Sequence, residues 1–183
     1  MGRLRNNSRG FTIIELMTAV IILAILSTVA VVSYKKYLRR GKNMEAIYFL
    51  SDIGIKQTTY FSIHGQFVDT SSSPSTFDEG DFFPTPITNG DKPWGLTCPA
   101  DKMTYPGWCG LGARPSTANV NYQYVTVGWE PGVTTAPPAR YIKDPNRHWW
   151  FAVARGDLDG NGVYSTFILS SEVTEVYYFN EVE

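Results

Sequence analysis

The chain has 183 residues, which is enough for one globular domain and a long helix but not for two ordinary domains. Its net charge is −1, yet the charges are segregated: residues 1–10 carry three arginines, residues 35–42 carry five basic residues, and residues 43–183 carry 8 basic against 16 acidic residues. This acidic C-terminal part argues against nucleic-acid binding, which needs a basic face. The basic segment at 35–42 is suited to anionic lipid head groups or to acidic partners.

The N-terminal part is a short basic leader followed by an apolar run. From Phe11 to Val32 there are 22 residues with a single charge, Glu15. At 1.5 Å per residue this run spans about 33 Å, which is enough to cross the hydrocarbon core of a bilayer. The sequence therefore predicts a transmembrane helix over residues 11–33. The alternative is a secretory signal peptide cleaved near Ala30, but the run is longer than a usual signal-peptide core and contains an acid.

The residues from Gly10 to Leu16, Gly-Phe-Thr-Ile-Ile-Glu-Leu, resemble the processing site of type IV prepilins. The resemblance implies that prepilin peptidase cuts between Gly10 and Phe11 on the cytoplasmic face and N-methylates the new amino terminus. Residues 1–10 are then a leader peptide, and residues 34–183 form an extracytoplasmic head. The implied location is a single-pass position in the bacterial inner membrane before assembly, and an extracytoplasmic pilus or pseudopilus afterwards.

Glu15 is the acid inside the apolar run. A carboxylate within a membrane costs at least about 2 kcal/mol and usually has a function. In pilins the matching glutamate is thought to meet the methylated amino terminus of a neighbouring subunit, so the resemblance implies a contact between Glu15 and the amine of Phe11 in another chain. The alternative is that Glu15 lies near the helix end and reaches the membrane interface. We expect the assembly role.

The helix is predicted to continue beyond the membrane. No proline occurs from residue 34 to residue 64, and mostly apolar residues recur at steps of three and four between Ile47 and Phe61. The pattern predicts a helix ending at about Ile63, with Gly65 as a stop signal. Pilins commonly have a proline at the position that Val32 occupies here, and this departure favours a minor pilin over a bulk filament subunit.

Residues 66–112 are rich in Ser, Thr, Pro, Gly and Asp, which predicts a long irregular segment that needs a constraint. Cys98 and Cys109 provide one, because two cysteines on an exported head are expected to form a disulfide. Metal binding by these cysteines has little support, since His64 and His148 are distant in sequence.

The last third of the chain alternates as strands do. Enrichment in β-branched and aromatic residues predicts four strands, at 120–127, 148–154, 163–169 and 175–179. The second and third are joined by a connection too short for a parallel crossover, so we expect a hairpin. A long helix packed on an antiparallel sheet of about four strands is an α+β fold.

Asp157, Asp159 and Asn161 alternate before Gly162, and this pattern resembles the start of a calcium-binding loop. The match is partial, because the EF-hand pattern has an acid where Ile168 stands. The alternative is a polar hairpin turn, since Asp, Asn and Gly dominate turns. Some type II secretion pseudopilins bind calcium in their C-terminal region, so calcium stays a candidate ligand. No other cofactor is expected.

The sequence contains no convincing nucleophile–base pair and no Gly-x-Ser-x-Gly motif, so enzymatic activity is not expected. We expect a structural subunit of a type IV pilus or pilus-like filament, with a minor pilin favoured. One alternative is a pseudopilin of a type II secretion system, and another, of a different class, is a membrane-tethered adhesin or binding module. The resemblance implies three partners: prepilin peptidase, other pilins and the inner-membrane assembly platform.

Overall fold

The structure is a computed structural model that describes residues 10–85, 91–98 and 100–179. Of the predicted leader, residues 1–9 lie outside the described residues. The chain divides into two compact units, Met1–Leu38 and Arg39–Glu183, and we call the second unit the head.

A single helix, α1, runs from Ile13 to His64. It begins with reciprocal hydrogen bonds: the backbone N–H of Glu15 donates to the hydroxyl of Thr12 (3.3 Å), and the backbone N–H of Thr12 donates to the carboxylate of Glu15 (2.9 Å). It ends before Gly65, which has φ of 69° and donates its N–H to the carbonyl of Phe61. The predicted helix and its glycine stop are confirmed.

The apolar half of α1 is exposed within the chain. Side chains from Phe11 to Val32 lie on the surface, including all of the large hydrophobic ones. By length and composition α1 is able to cross a membrane, and none of its most apolar window is buried inside the protein. An apolar surface of this size is not stable in water, so it needs lipid or other protein around it.

The head contains a four-stranded antiparallel sheet in the order β3-β4-β5-β6 and a separate two-stranded sheet, β1-β2. The strands are β1 (Lys92–Pro93), β2 (Asn119–Val120), β3 (Gln123–Gly128), β4 (Trp150–Gly156), β5 (Ser165–Ser170) and β6 (Val173–Phe179). The predicted α+β class, the number of strands in the main sheet and the β4–β5 hairpin are confirmed. Three of the predicted strands agree with the structure to within two residues.

The first predicted strand, 120–127, is interrupted in the structure. Val120 pairs with Lys92 in the small sheet, and the main-sheet strand β3 starts only at Gln123. The break occurs because Asn121 turns towards α1. Its backbone N–H and its side-chain amide each donate to the carboxylate of Glu45 at 2.8 Å.

Both faces of the main sheet are covered along β3 and β4, where side chains pointing to either side are buried, whereas the edge strand β6 is largely exposed. The face towards α1 packs against the helix through Ala46, Phe49, Leu50 and Ile53. The other face is covered by irregular segments that contribute Phe82, Tyr141, Ile142 and Trp149. Gly54 lets α1 approach the sheet, since a Cβ there would lie 3.0 Å from the ring of Trp150.

Buried Gln57 connects the helix to the irregular segment that follows it. Its side-chain amide donates to the carbonyl of Val68 and to the hydroxyl of Thr126, each at 2.8 Å, and its side-chain oxygen accepts from the N–H of Val68 at 2.9 Å. A buried polar side chain is stable only when it is bonded in this way. The bonds therefore hold the start of the irregular segment between α1 and β3.

Candidate functional site

The predicted cleavage site lies just before the first turn of α1. Gly10 and Phe11 are exposed, and Phe11 has 79% of its surface accessible. No described residue approaches within 4 Å of the place where a Cβ on Gly10 would lie. The backbone between the two residues is therefore open to an enzyme that must approach it closely.

Within one chain, Glu15 is a capping residue. One of its carboxylate oxygens, Oε2, accepts hydrogen bonds from the backbone N–H and from the hydroxyl of Thr12, at 2.9 and 2.7 Å. The other oxygen, Oε1, accepts none from the residues that the structure describes. A carboxylate at this position also faces the partial positive charge of the helix N-terminus. The capping role of Thr12 was missed at the sequence level, although Thr-x-x-Glu before an apolar run is its usual signal.

The side chains predicted to bind calcium organise a tight turn between β4 and β5. The carboxylate of Asp157 accepts hydrogen bonds from the N–H groups of Gly160 (2.7 Å) and Gly162 (3.0 Å). The side-chain oxygen of Asn161 accepts from the N–H of Val163 at 2.6 Å. These bonds are typical of Asx turns, in which Asp and Asn replace backbone acceptors.

Asp159 has a partner that the sequence pattern did not predict. The guanidinium of Arg39, near the middle of α1, donates to its carboxylate at 2.9 Å. Both side chains are about three-quarters buried, with 28% of each exposed. The ion pair therefore fastens the turn to the helix. Among the described residues, no group of three or more His, Cys, Asp or Glu side chains is placed to hold a metal ion. A calcium site in this turn therefore needs the side-chain oxygen of Asn161 as a ligand in addition to the two aspartates.

The structure contains a disulfide between Cys98 and Cys109, whose Cα atoms lie 5.6 Å apart. Cys109 belongs to a short helix, α2 (Pro106–Leu111), which was not expected within the irregular segment. The buried rings of Trp94 and Trp108 pack edge to face beside the disulfide, with centroids 5.2 Å apart. The disulfide therefore joins two segments that also share part of the apolar core.

One partly buried acid lies outside every predicted site. The pKa of Asp69 is raised from 3.8 to about 6, mainly by burial and to a smaller extent by the nearby carboxylates of Glu130 and Asp81. Hydrogen bonds from the hydroxyl and the backbone N–H of Ser71, at 2.6 and 2.7 Å, act in the opposite direction. Asp69 lines a cavity of about 350 Å³ beside α2. The sequence offered no signal for it beyond Asp-x-Ser, which is common in turns.

Comparison with known proteins identifies the N-terminal part alone. Residues 5–31 match the family model described as the prokaryotic N-terminal methylation motif. This motif is the type IV prepilin signature, and the match spans the predicted cleavage site, Glu15 and most of the apolar run. No curated protein matches the chain.

Proposed function

We propose, from the type IV prepilin signature at residues 5–31, that this chain is a structural subunit of a type IV pilus or pilus-like filament. Prepilin peptidase removes residues 1–10 and methylates the amine of Phe11. The chain is anchored in the bacterial inner membrane by the first half of α1 and later joins an extracytoplasmic filament through the same segment. Its partners are other pilins and the inner-membrane assembly platform. The single observation that carries the proposal is this motif on a helix whose apolar surface is exposed.

Glu15 has a defined part in the proposed assembly. In one chain the carboxylate is bonded through Oε2 to Thr12, while Oε1 has no described donor. The methylated amine of a neighbouring Phe11 is a donor of the right charge for this second oxygen. Neutralising both charges is favourable because Coulomb attraction is strong where the dielectric constant is low. The capping bonds therefore position the carboxylate at the helix end without using all of its acceptor capacity.

Among filament subunits we favour a minor pilin. Val32 takes the place of the proline that is common in pilins, and the head has a long irregular segment held by a disulfide and by Gln57. The second candidate is a type II secretion pseudopilin, which the partial calcium pattern at Asp157, Asp159 and Asn161 favours. A membrane-tethered adhesin or binding module is the remaining alternative, and it would retain Met1 at its amino terminus.

The first test of the proposal is the amino terminus of the membrane-extracted protein. Intact-mass and N-terminal analysis should find a chain that begins at methylated Phe11. Gly10→Leu should block cleavage, because a side chain there fills the space through which the peptidase reaches the backbone. A chain that begins at Met1, or near Val31 as after signal-peptide cleavage, would show that the protein is not a processed pilin.

The second test separates pairing from capping at Glu15. Glu15→Val should insert in the membrane and be cleaved normally, because it removes an insertion cost, but its incorporation into filaments should fall sharply. Thr12→Val is the matched control, since it removes the capping hydroxyl and retains the carboxylate. It should keep most of the incorporation. Equal losses in both variants would assign the effect to helix capping, and normal incorporation of Glu15→Val would exclude a pairing role.

A further inference from the structure

The stretch of α1 that follows the apolar run combines tyrosines with cations. We call residues 34–42 the neck segment. Tyr34 and Tyr37 are 62% and 74% exposed, and Lys35, Lys36 and Arg40 are exposed as well. Aromatic and basic residues in this order, directly after a membrane-length apolar run, are typical of a membrane–water interface.

Most cations of the neck segment have no acidic partner among the residues that the structure describes. Arg39 pairs with Asp159, as described above. Lys35, Lys36 and Arg40 form no ion pair with any residue that the structure describes. These three side chains are therefore available to an anionic ligand from outside the chain.

The next acid along α1 does not compensate for them. The carboxylate of Glu45 accepts both hydrogen bonds from Asn121, and it also accepts one from the hydroxyl of Tyr124 at 3.3 Å. The carboxylate of Glu45 is therefore already occupied by hydrogen bonds from Asn121 and Tyr124, on the side of α1 that faces the core. No described acid forms an ion pair with Lys35, Lys36 or Arg40, so the positive charge of these three residues remains on the exposed side of the helix.

The length of α1 sets the depth of these cations. At 1.5 Å per residue, Lys35 and Lys36 lie about 5–6 Å beyond Val32, and Arg40 lies about 12 Å beyond it. The head-group region is about 5–8 Å thick on each side of a bilayer. Lysine and arginine side chains extend back along a helix to reach it. All three cations can therefore contact lipid phosphates while the apolar run stays in hydrocarbon.

We propose that the neck segment is a binding site for anionic phospholipids, in which Lys35, Lys36 and Arg40 hold lipid head-group phosphates and the two tyrosines lie among the head groups. Lipid is favoured over a protein partner because the segment continues directly from a membrane-spanning run, so head groups surround it whenever the chain is inserted. The proposal rests on the membrane span and does not require filament assembly. If the neck segment binds lipid in this way, it fixes the depth at which the chain is inserted. Its contacts with lipid must then break when the subunit leaves the membrane.

The test measures which lipids stay bound to the full chain. The protein is placed in nanodiscs with equal amounts of phosphatidylglycerol and phosphatidylcholine. It is then released from the nanodiscs in the mass spectrometer, and native mass spectrometry counts the molecules of each lipid that stay bound to it. Each cation near an anionic surface contributes a factor of about five, so the parent chain should retain phosphatidylglycerol several-fold over phosphatidylcholine. The triple variant K35Q/K36Q/R40Q should lower this ratio several-fold, although the other basic residues near the membrane remain. Glutamine keeps the helix, because its helix propensity is close to that of lysine and arginine.

A matched control removes the same charge from the head. The control variant is K102Q/R114Q/R147Q, at three exposed positions that form no described ion pair. It should keep the lipid ratio of the parent chain. An unchanged ratio in the neck variant, or an equal fall in the control, would overturn the proposal. Chemical cross-linking in the same nanodiscs covers the competing occupant, the acidic head of a second copy. If the neck variant lowers dimer yield and leaves the lipid ratio unchanged, the neck segment binds protein and the proposal is wrong.

Discussion

Asp69 should make the stability of the head fall as the pH rises, which is the reverse of the behaviour of a salt-bridged acid. Its pKa is about 6 in the folded protein, against 3.8 for an exposed aspartate. Between these two values the folded state binds more protons than the unfolded state. The contribution of Asp69 to stability is therefore largest below pH 4, declines through pH 4–6, and is lost above pH 6.

The size of the effect follows from the pKa difference. One pKa unit corresponds to 1.36 kcal/mol, so a rise from 3.8 to about 6 corresponds to about 3 kcal/mol of lost stability above pH 6. Asp69→Asn removes the charge but keeps an oxygen that accepts the two bonds from Ser71. We expect this variant to be about 3 kcal/mol more stable than the parent at pH 8 and equally stable at pH 3. For a domain of this size the gain at pH 8 is about 6–12 °C in melting temperature.

The assay is thermal unfolding of the full chain in mild detergent, monitored by tryptophan fluorescence from pH 3 to pH 8. All five tryptophans lie in the head, so the signal reports its unfolding and not that of the apolar helix. Asp144→Asn is the matched control, because Asp144 is exposed and accepts a similar turn hydrogen bond from the N–H of Asn146 at 3.2 Å. It should leave the difference between pH 3 and pH 8 unchanged. A less stable Asp69→Asn at pH 8, or a gain that is the same at every pH, would refute the reasoning.

Two further predictions concern the turn between β4 and β5 and the glycines of α1. If the turn binds calcium, millimolar calcium should raise the melting temperature of the head. Asp159→Ala should abolish this rise, whereas Arg39→Gln, which breaks only the ion pair, should keep it. Identical melting curves in calcium and in chelator would show that the turn has only a structural role. The calcium argument for a pseudopilin would then be withdrawn. Gly54→Val should lower stability by about 1–3 kcal/mol, because its side chain overlaps the sheet. Gly41→Ala, with open space around it among the described residues, should raise stability by up to about 1 kcal/mol, and unfolding curves in which both variants shift the same way would contradict this account.

Features that depend on neighbours in sequence were predictable. The apolar run from Phe11 to Val32, the helix stop at Gly65 and the alternation of three strands of the main sheet are all local patterns. Helix and strand periods are set by residues two to four positions apart, so the spacing of apolar residues along the sequence indicates where the elements lie. The prepilin signature is equally local, because the whole match lies within one continuous segment, residues 5–31. These patterns were sufficient for the α+β class.

Contacts between distant residues were decided by the tertiary structure. Arg39 and Asp159 are 120 positions apart, and nothing in either local sequence indicates that one is the partner of the other. The same holds for Glu45, which interrupts the predicted strand by binding Asn121, and for the raised pKa of Asp69. Charge pairing and burial depend on what the fold brings within a few ångströms, and that is fixed only when the helix, the sheet and the irregular segments pack together.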